Sequence, residues 1–76
     1  MDKLKSIFSS VLNIDPSKIN NDISPQNTPA WDSLNAIVLV TEIEKAFSLK
    51  FAYDEIMNVK NFGDVAALLQ SKGVAL

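Results

Sequence analysis

The chain contains no cysteine, no histidine and no arginine. Each absence removes a class of chemistry. Without cysteine there is no disulfide framework, no thiol nucleophile and no cysteine-ligated metal site. Without histidine the commonest general base and the commonest neutral metal ligand are gone. Without arginine no bidentate clamp for a phosphate or carboxylate can be built. Carboxylates, lysines and one tyrosine remain for acid–base work. That inventory argues against an enzyme. Long apolar runs are also missing, and none reaches the length of a membrane span. The opening residues, Met1-Asp2-Lys3-Leu4-Lys5, lack the apolar centre of a secretory signal. These absences point to a soluble cytoplasmic protein.

What is present suits one small folded body. A length of 76 residues allows a single domain, residues 1–76, built around one compact core. Hydrophobic residues make up 47% of the chain, enough to fill that core and to argue against disorder. The net charge of −2 disfavours nucleic acid and anionic membrane as partners. It favours partners with basic docking surfaces.

The apolar residues recur with helical spacing. Leu4, Ile7, Phe8, Val11 and Leu12 define a first helix from about Asp2 to Asn13, stopped by Asp15-Pro16. Residues 15–32 read mostly as loop, with Pro25 and Pro29 among Asn, Asp, Ser, Gln and Thr. Ile14, Ile19 and Ile23 are its apolar pins. A loop of this length in a small domain is often functional. A second helix runs from about Ser33 to Phe47, with Asp32 as N-cap. Ala36, Leu39, Val40, Ile43 and Phe47 share its apolar face. Asn35, Thr41, Glu42 and Lys45 lie largely opposite. Tyr53 to Met57 forms one short turn, opened by Asp54 and Glu55. Asn61 caps a final helix, with Asp64 three residues on as a capping-box variant. Phe62, Val65, Ala66, Leu68 and Leu69 form the buried face of that helix, and Gly73 ends it. The fold class is therefore all-α: three main helices and one short one, with a long loop between the first two.

Ser33 is the most informative position. It ends the long loop and opens the most apolar helix. A helix N-terminus presents unpaired N–H groups and partial positive charge, which suit a phosphate bonded to a serine there. No histidine or lysine neighbours Ser33 in sequence to activate its hydroxyl. Ser33 therefore reads as a residue that another enzyme modifies, not as a nucleophile in its own right. Helix capping alone also accounts for an Asp-Ser pair.

The context adds to this. The segment Trp31-Asp32-Ser33-Leu34-Asn35-Ala36-Ile37-Val38-Leu39-Val40-Thr41-Glu42-Ile43-Glu44-Lys45-Ala46-Phe47 resembles the second helix of acyl carrier proteins. In that family Asp-Ser-Leu is followed by aliphatic residues, then Glu and Phe near the helix end. Upstream, Leu12-Asn13-Ile14-Asp15-Pro16-Ser17-Lys18-Ile19 looks like the exit from the family's first helix. Downstream, Phe51, Ile56, Val59, Phe62 and Val65 are similar in spacing. The resemblance implies a 4'-phosphopantetheine arm, moved from coenzyme A onto Ser33 by a phosphopantetheinyl transferase. Asp32 matches the aspartate that positions this transfer, usually through the transferase's Mg²⁺. The arm then brings the thiol that the chain lacks. The implied function is to hold acyl intermediates as thioesters. Acyl-transferring, acyl-activating and ketosynthase-type enzymes of fatty acid, polyketide or a related specialised pathway would take them up. By analogy Ile37, Ile43, Ile56 and Val59 line an acyl pocket, although ordinary core explains them equally well.

Several positions depart from the family pattern. Family members of fatty acid synthesis carry an acidic second helix that docks on basic partners. The corresponding partner surface here consists of Leu34, Asn35, Val38, Thr41 and Glu42, with Met57 on the short helix. It is less acidic and more apolar, as an interaction surface can be, although scattered exposed hydrophobic residues are normal. Trp31 stands where a small residue often precedes the motif, and it resembles stand-alone carriers of specialised pathways. Pinning the loop to the core explains it as well. Ile56 occupies a position where a small residue is frequent. Two other readings stay open. One is an aminoacyl or peptidyl carrier, against which Pro29-Ala30-Trp31 replaces the usual glycines before the serine. The other is a helical protein-interaction domain without a prosthetic group. No long heptad demands a dimer, so the expectation is a monomer.

Overall fold

A computed structural model describes residues 2–76. Among these, four α-helices and one short 3₁₀ turn form, with no strand. Helix α1 spans Asp2–Leu12 and buries Leu4, Phe8 and Leu12, one residue per turn. Its C-terminus falls one residue short of the sequence expectation. Asn13 adopts a left-handed conformation with φ of 55°, which ends the helix.

The loop after α1 is more structured than its composition suggests. Pro16–Lys18 forms a 3₁₀ turn, opened by the Asp15 side chain accepting from the Ser17 N–H at 2.9 Å. Ile19 and Ile23 are buried, and Ile14 packs against the core at partial exposure. Two loop carbonyls then receive N–H bonds from α4. Phe62 donates to Ile23 at 2.9 Å, and Gly63 donates to Asn21 at 3.1 Å. These bonds satisfy N–H groups that the helix cannot pair internally. A Cβ on Gly63 would stand only 3.1 Å from the Asn21 Cβ, so the close approach of loop and helix requires glycine or a shift.

Helix α2 spans Ser33–Phe47, with the boundaries its sequence dictates. The Asp32 side chain accepts from the Asn35 N–H at 2.8 Å and sets its start. Ser48, in the left-handed region at φ 55°, sets its end. Leu39 and Ile43 are buried, while Ala36, Val40 and Phe47 are half-buried. Lys3 of α1 reaches over the far end of α2, donating to the Ala46 carbonyl at 2.8 Å and lying 5.1 Å from the Phe47 ring centre. A cation placed on C-terminal carbonyls is favourable there.

Helix α3 spans Tyr53–Asn58 and has no fully buried residue. Ala52 precedes it and has no side-chain oxygen, so only half of a capping box forms: Glu55 accepts from the Ala52 N–H at 2.7 Å. Helix α4 spans Phe62–Ser71. The Asn61 side chain accepts from the Asp64 N–H at 2.8 Å, as a cap should. Asp64, however, accepts from the N–H of Lys60 at 3.0 Å, one residue upstream of the expected capping-box partner. The helix ends in a Schellman turn. Gly73 has φ of 90°, its N–H donates to Gln70, and the Val74 N–H donates to Leu69.

Phe8 sits at the centre of the core. Its ring meets Trp31 edge-on at 5.2 Å and Phe62 edge-on at 4.8 Å, so one residue of α1 joins the loop to α4. Trp31 is therefore a core residue, the structural role its sequence position left open.

Candidate functional site

Ser33 is the first residue of α2 and is exposed. Its two polar neighbours are already engaged. Asp32 spends a carboxylate oxygen on the Asn35 N–H, and the Asn35 side-chain amide donates to the Ala30 carbonyl at 2.7 Å. Neither bond engages the Ser33 hydroxyl. Trp31 is buried just ahead of it, its N–H donating to Thr28 at 2.9 Å. The serine is thus held outward on an anchored turn. It stands at the end of α2 where the first N–H groups precede the intrahelical ladder.

One turn further along begins an apolar cleft of about 420 Å³. Its walls come from all four helices and the loops between them. Helix α2 supplies Ala36, Ile37, Leu39, Val40, Thr41 and Ile43. Tyr53 and Ile56 come from α3, Val65 and Leu68 from α4, and Phe8, Pro25, Trp31, Phe51 and Val59 complete it. No charged side chain lines it. Ile37, Ile43, Ile56 and Val59, the four residues expected of a pocket, all contribute. Their depths differ: Ile43 is buried, Ile56 and Val59 are half-buried, and Ile37 is 65% exposed at the rim. Thr41 satisfies its hydroxyl by bonding the Ile37 carbonyl at 3.0 Å, so it presents its methyl side without an unpaired donor.

Polar contacts outside the cleft hold its lip. Glu44 accepts from the Phe51 N–H at 2.8 Å and fixes the entry into α3. Lys72 lies 2.9 Å from Glu55 and 5.9 Å from the Phe51 ring centre, which ties α3 to the end of α4. The Glu55 carboxyl is held below its ordinary value, first by the Ala52 N–H and then by Lys72.

The residues expected to face partners divide into two groups. Leu34, Val38, Thr41, Glu42 and Met57 are exposed. Asn35 is half-buried, and its amide is committed to the loop. Sequence reasoning did not place Phe8, Pro25, Tyr53 or Leu68 at the cleft. They lie far apart in the chain, and no local spacing marks them. Among the described residues no cluster of acidic side chains could hold a metal ion, and no helix is long and apolar enough to cross a membrane.

Residues 2–69 match the family model described as a phosphopantetheine attachment site. The chain belongs to the acyl carrier protein family. An acyl carrier protein of Bdellovibrio bacteriovorus is 33% identical over 73 residues, covering 96% of this chain and 94% of the relative. One from Brachyspira hyodysenteriae is 31% identical over 71 residues, covering 92% and 91%. The solution structure of holo acyl carrier protein from Geobacter metallireducens superposes with a TM-score of 0.84 at 35% identity, covering 93% of this chain and 82% of that one. A candidate acyl carrier protein from Mycobacterium tuberculosis, at 22% identity and the same TM-score, shares the fold. Membership implies a covalently attached 4'-phosphopantetheine and a carrier, not a catalyst. The carrier's residues fit such a group: an outward, unengaged serine hydroxyl on a helix N-terminus, beside an uncharged cleft.

Proposed function

We propose that Ser33 is the attachment point of the arm and that the cleft shelters the acyl group the arm carries. The observation that supports this most strongly is the position of Ser33. It is exposed at the first position of α2, and an apolar cleft opens one turn beyond it. When bound, phosphopantetheine supplies the thiol that forms the acyl thioester. The chain's own residues orient and shelter. Asp32 caps α2 through one carboxylate oxygen, and the rest of that group faces solvent beside Ser33, where a transferase's Mg²⁺ would approach. The N-terminal N–H groups of α2 favour the negative phosphodiester. Ile37 sits at the rim, Ile56 and Val59 form the walls, and Ile43 lies at the base, where apolar acyl carbons would leave water.

In this reading the chain is a single-domain, monomeric, cytoplasmic carrier. It receives its arm from a phosphopantetheinyl transferase. Acyl-transferring, acyl-activating or ketosynthase-type enzymes of fatty acid, polyketide or a related specialised pathway then take up its cargo. The partner face of α2, apolar and polar with Glu42 as its one acid, favours a specialised pathway. Incubation with coenzyme A, Mg²⁺ and a broad-specificity phosphopantetheinyl transferase tests the attachment. The intact mass should rise by one phosphopantetheine in the wild type and stay unchanged in Ser33→Ala. A folded wild-type protein that gains nothing with several transferases would overturn the reading.

A further inference from the structure

The chain has six aromatic residues, and four of them, Phe8, Trp31, Phe51 and Tyr53, line the apolar cleft. These four come from α1, the long loop, the segment after α2, and α3, so only the fold gathers them. Of the other two, Phe62 packs on Phe8 in the core, and Phe47 lies beside Lys3 at the far end of α2. The four rings differ in depth. Phe8 and Trp31 are buried and pair edge-on at 5.2 Å. Phe51 is half-buried and Tyr53 is 73% exposed, so these two stand nearer the mouth. Among the described residues neither of them pairs with another ring. Lys72, which does not line the cleft, lies 5.9 Å from the Phe51 ring centre.

The polar inventory of the walls is short. The Thr41 hydroxyl donates to the Ile37 carbonyl, Tyr53 stands at the open end, and no charged side chain lines the cleft. An acyl group with a charge or several hydroxyls would leave them unpaired there. The volume of about 420 Å³ lies in the range of small-ligand sites and holds a ring with a short linker.

We infer that the acyl group this carrier shelters ends in an aromatic ring, joined to the thioester by a short apolar linker. The inference rests on Ser33 as the attachment point and on the cleft as the shelter. Burial alone would favour a saturated chain or ring, which removes at least as much apolar surface from water. Aromatic pairs gain beyond burial through edge-to-face and offset contacts. Two buried rings and two nearer the mouth give an entering ring such partners at every depth.

A matched pair of acyl groups separates the two effects. 3-Phenylpropanoyl and 3-cyclohexylpropanoyl share carbon number, linker and thioester, and differ in whether the ring is aromatic. Each is loaded onto the full-length apo protein from its coenzyme A thioester by a broad-specificity transferase, and intact mass confirms the loading. The rate at which hydroxylamine releases each group is compared with the rate for the same thioester on free pantetheine. The phenyl group should be protected about fivefold more than the cyclohexyl group, the equivalent of one aromatic pair. Tyr53→Leu and Phe51→Leu each remove a ring near the mouth and keep the wall apolar. Each should cut the phenyl protection about threefold and leave the cyclohexyl protection within about twofold. Circular dichroism of each variant confirms that the helices persist. Cyclohexyl protection within about twofold of the phenyl value, or above it, would overturn the aromatic cargo while leaving the cleft as a shelter. So would a phenyl preference that survives both substitutions unchanged. Protection of neither group would overturn the cleft as a shelter, and no loading of the wild type would overturn the reading of Ser33.

Discussion

Replacing Trp31 with leucine should cost about 2 kcal/mol of stability. Trp31 is 6% exposed, and its ring meets Phe8 edge-on at 5.2 Å with the planes 77° apart. Such an aromatic pair contributes about 1 kcal/mol beyond its buried area. Full truncation of a buried tryptophan to alanine costs about 3–5 kcal/mol. Leucine retains roughly half of the apolar surface, so about half of that loss remains, with the aromatic pair included. At about 0.05–0.15 kcal/mol per residue, this chain holds roughly 4–11 kcal/mol in all. The variant should therefore still fold, with a clearly lower urea midpoint. Far-UV circular dichroism is the suitable probe, because Trp31 is the only tryptophan and the variant has lost its fluorophore. The denaturant slope should match the wild type, since the same surface is exposed on unfolding. A loss below about 0.5 kcal/mol, the range of ordinary surface changes, would refute the account in which Trp31 anchors the loop ahead of Ser33.

Three further outcomes follow from the same contacts. Asp32→Asn should leave the unfolding free energy within about 0.5 kcal/mol of wild type, since asparagine caps as well as aspartate; arm transfer should fall sharply, and equal transfer would remove the proposed role of the carboxylate. Glu55 is charged more readily in the fold than free, with an ordinary value of 4.5 lowered by the Ala52 N–H and Lys72; its contribution is present above that value and is lost as pH falls through the lower folded one. The stability gap between wild type and Glu55→Gln should accordingly be widest near neutrality and close in acid, and a gap of constant size would contradict the assignment. Ser48→Gly should raise stability by about 0.5–1 kcal/mol, because glycine relieves the left-handed φ of 55° at a cost in unfolded-state entropy. A lower urea midpoint would show that Ser48 is unstrained.

Local signals in the sequence were strong where one residue decides a boundary. Asp32 starts α2, Asn61 starts α4 and Gly73 ends α4, and each acts through a single side chain or φ value. Periodicity placed Leu4, Phe8 and Leu12 on one face and found the isoleucine pins of the loop. The Pro16–Lys18 turn stayed hidden because three residues carry no period. Asp64 accepts from the N–H of Lys60 and not from that of Asn61, a shift of one residue that spacing does not encode. The proposed attachment site occupies consecutive residues, so the sequence alone presents it. The cleft was only half legible: its α2 wall follows from helical spacing, but Phe8, Pro25, Tyr53 and Leu68 reach it through tertiary packing. Asn35 looked free on a helical wheel, yet a turn of loop passes close enough for Ala30 to take its amide.

The most direct test of the central claim is the site of the added mass. Wild-type protein loaded with the arm should be cleaved into peptides and fragmented in the mass spectrometer. Phosphopantetheine should appear on Ser33 alone, within the peptide that carries Asp32 and Leu34. Its appearance on any other serine, with Ser33 unmodified, would contradict the account.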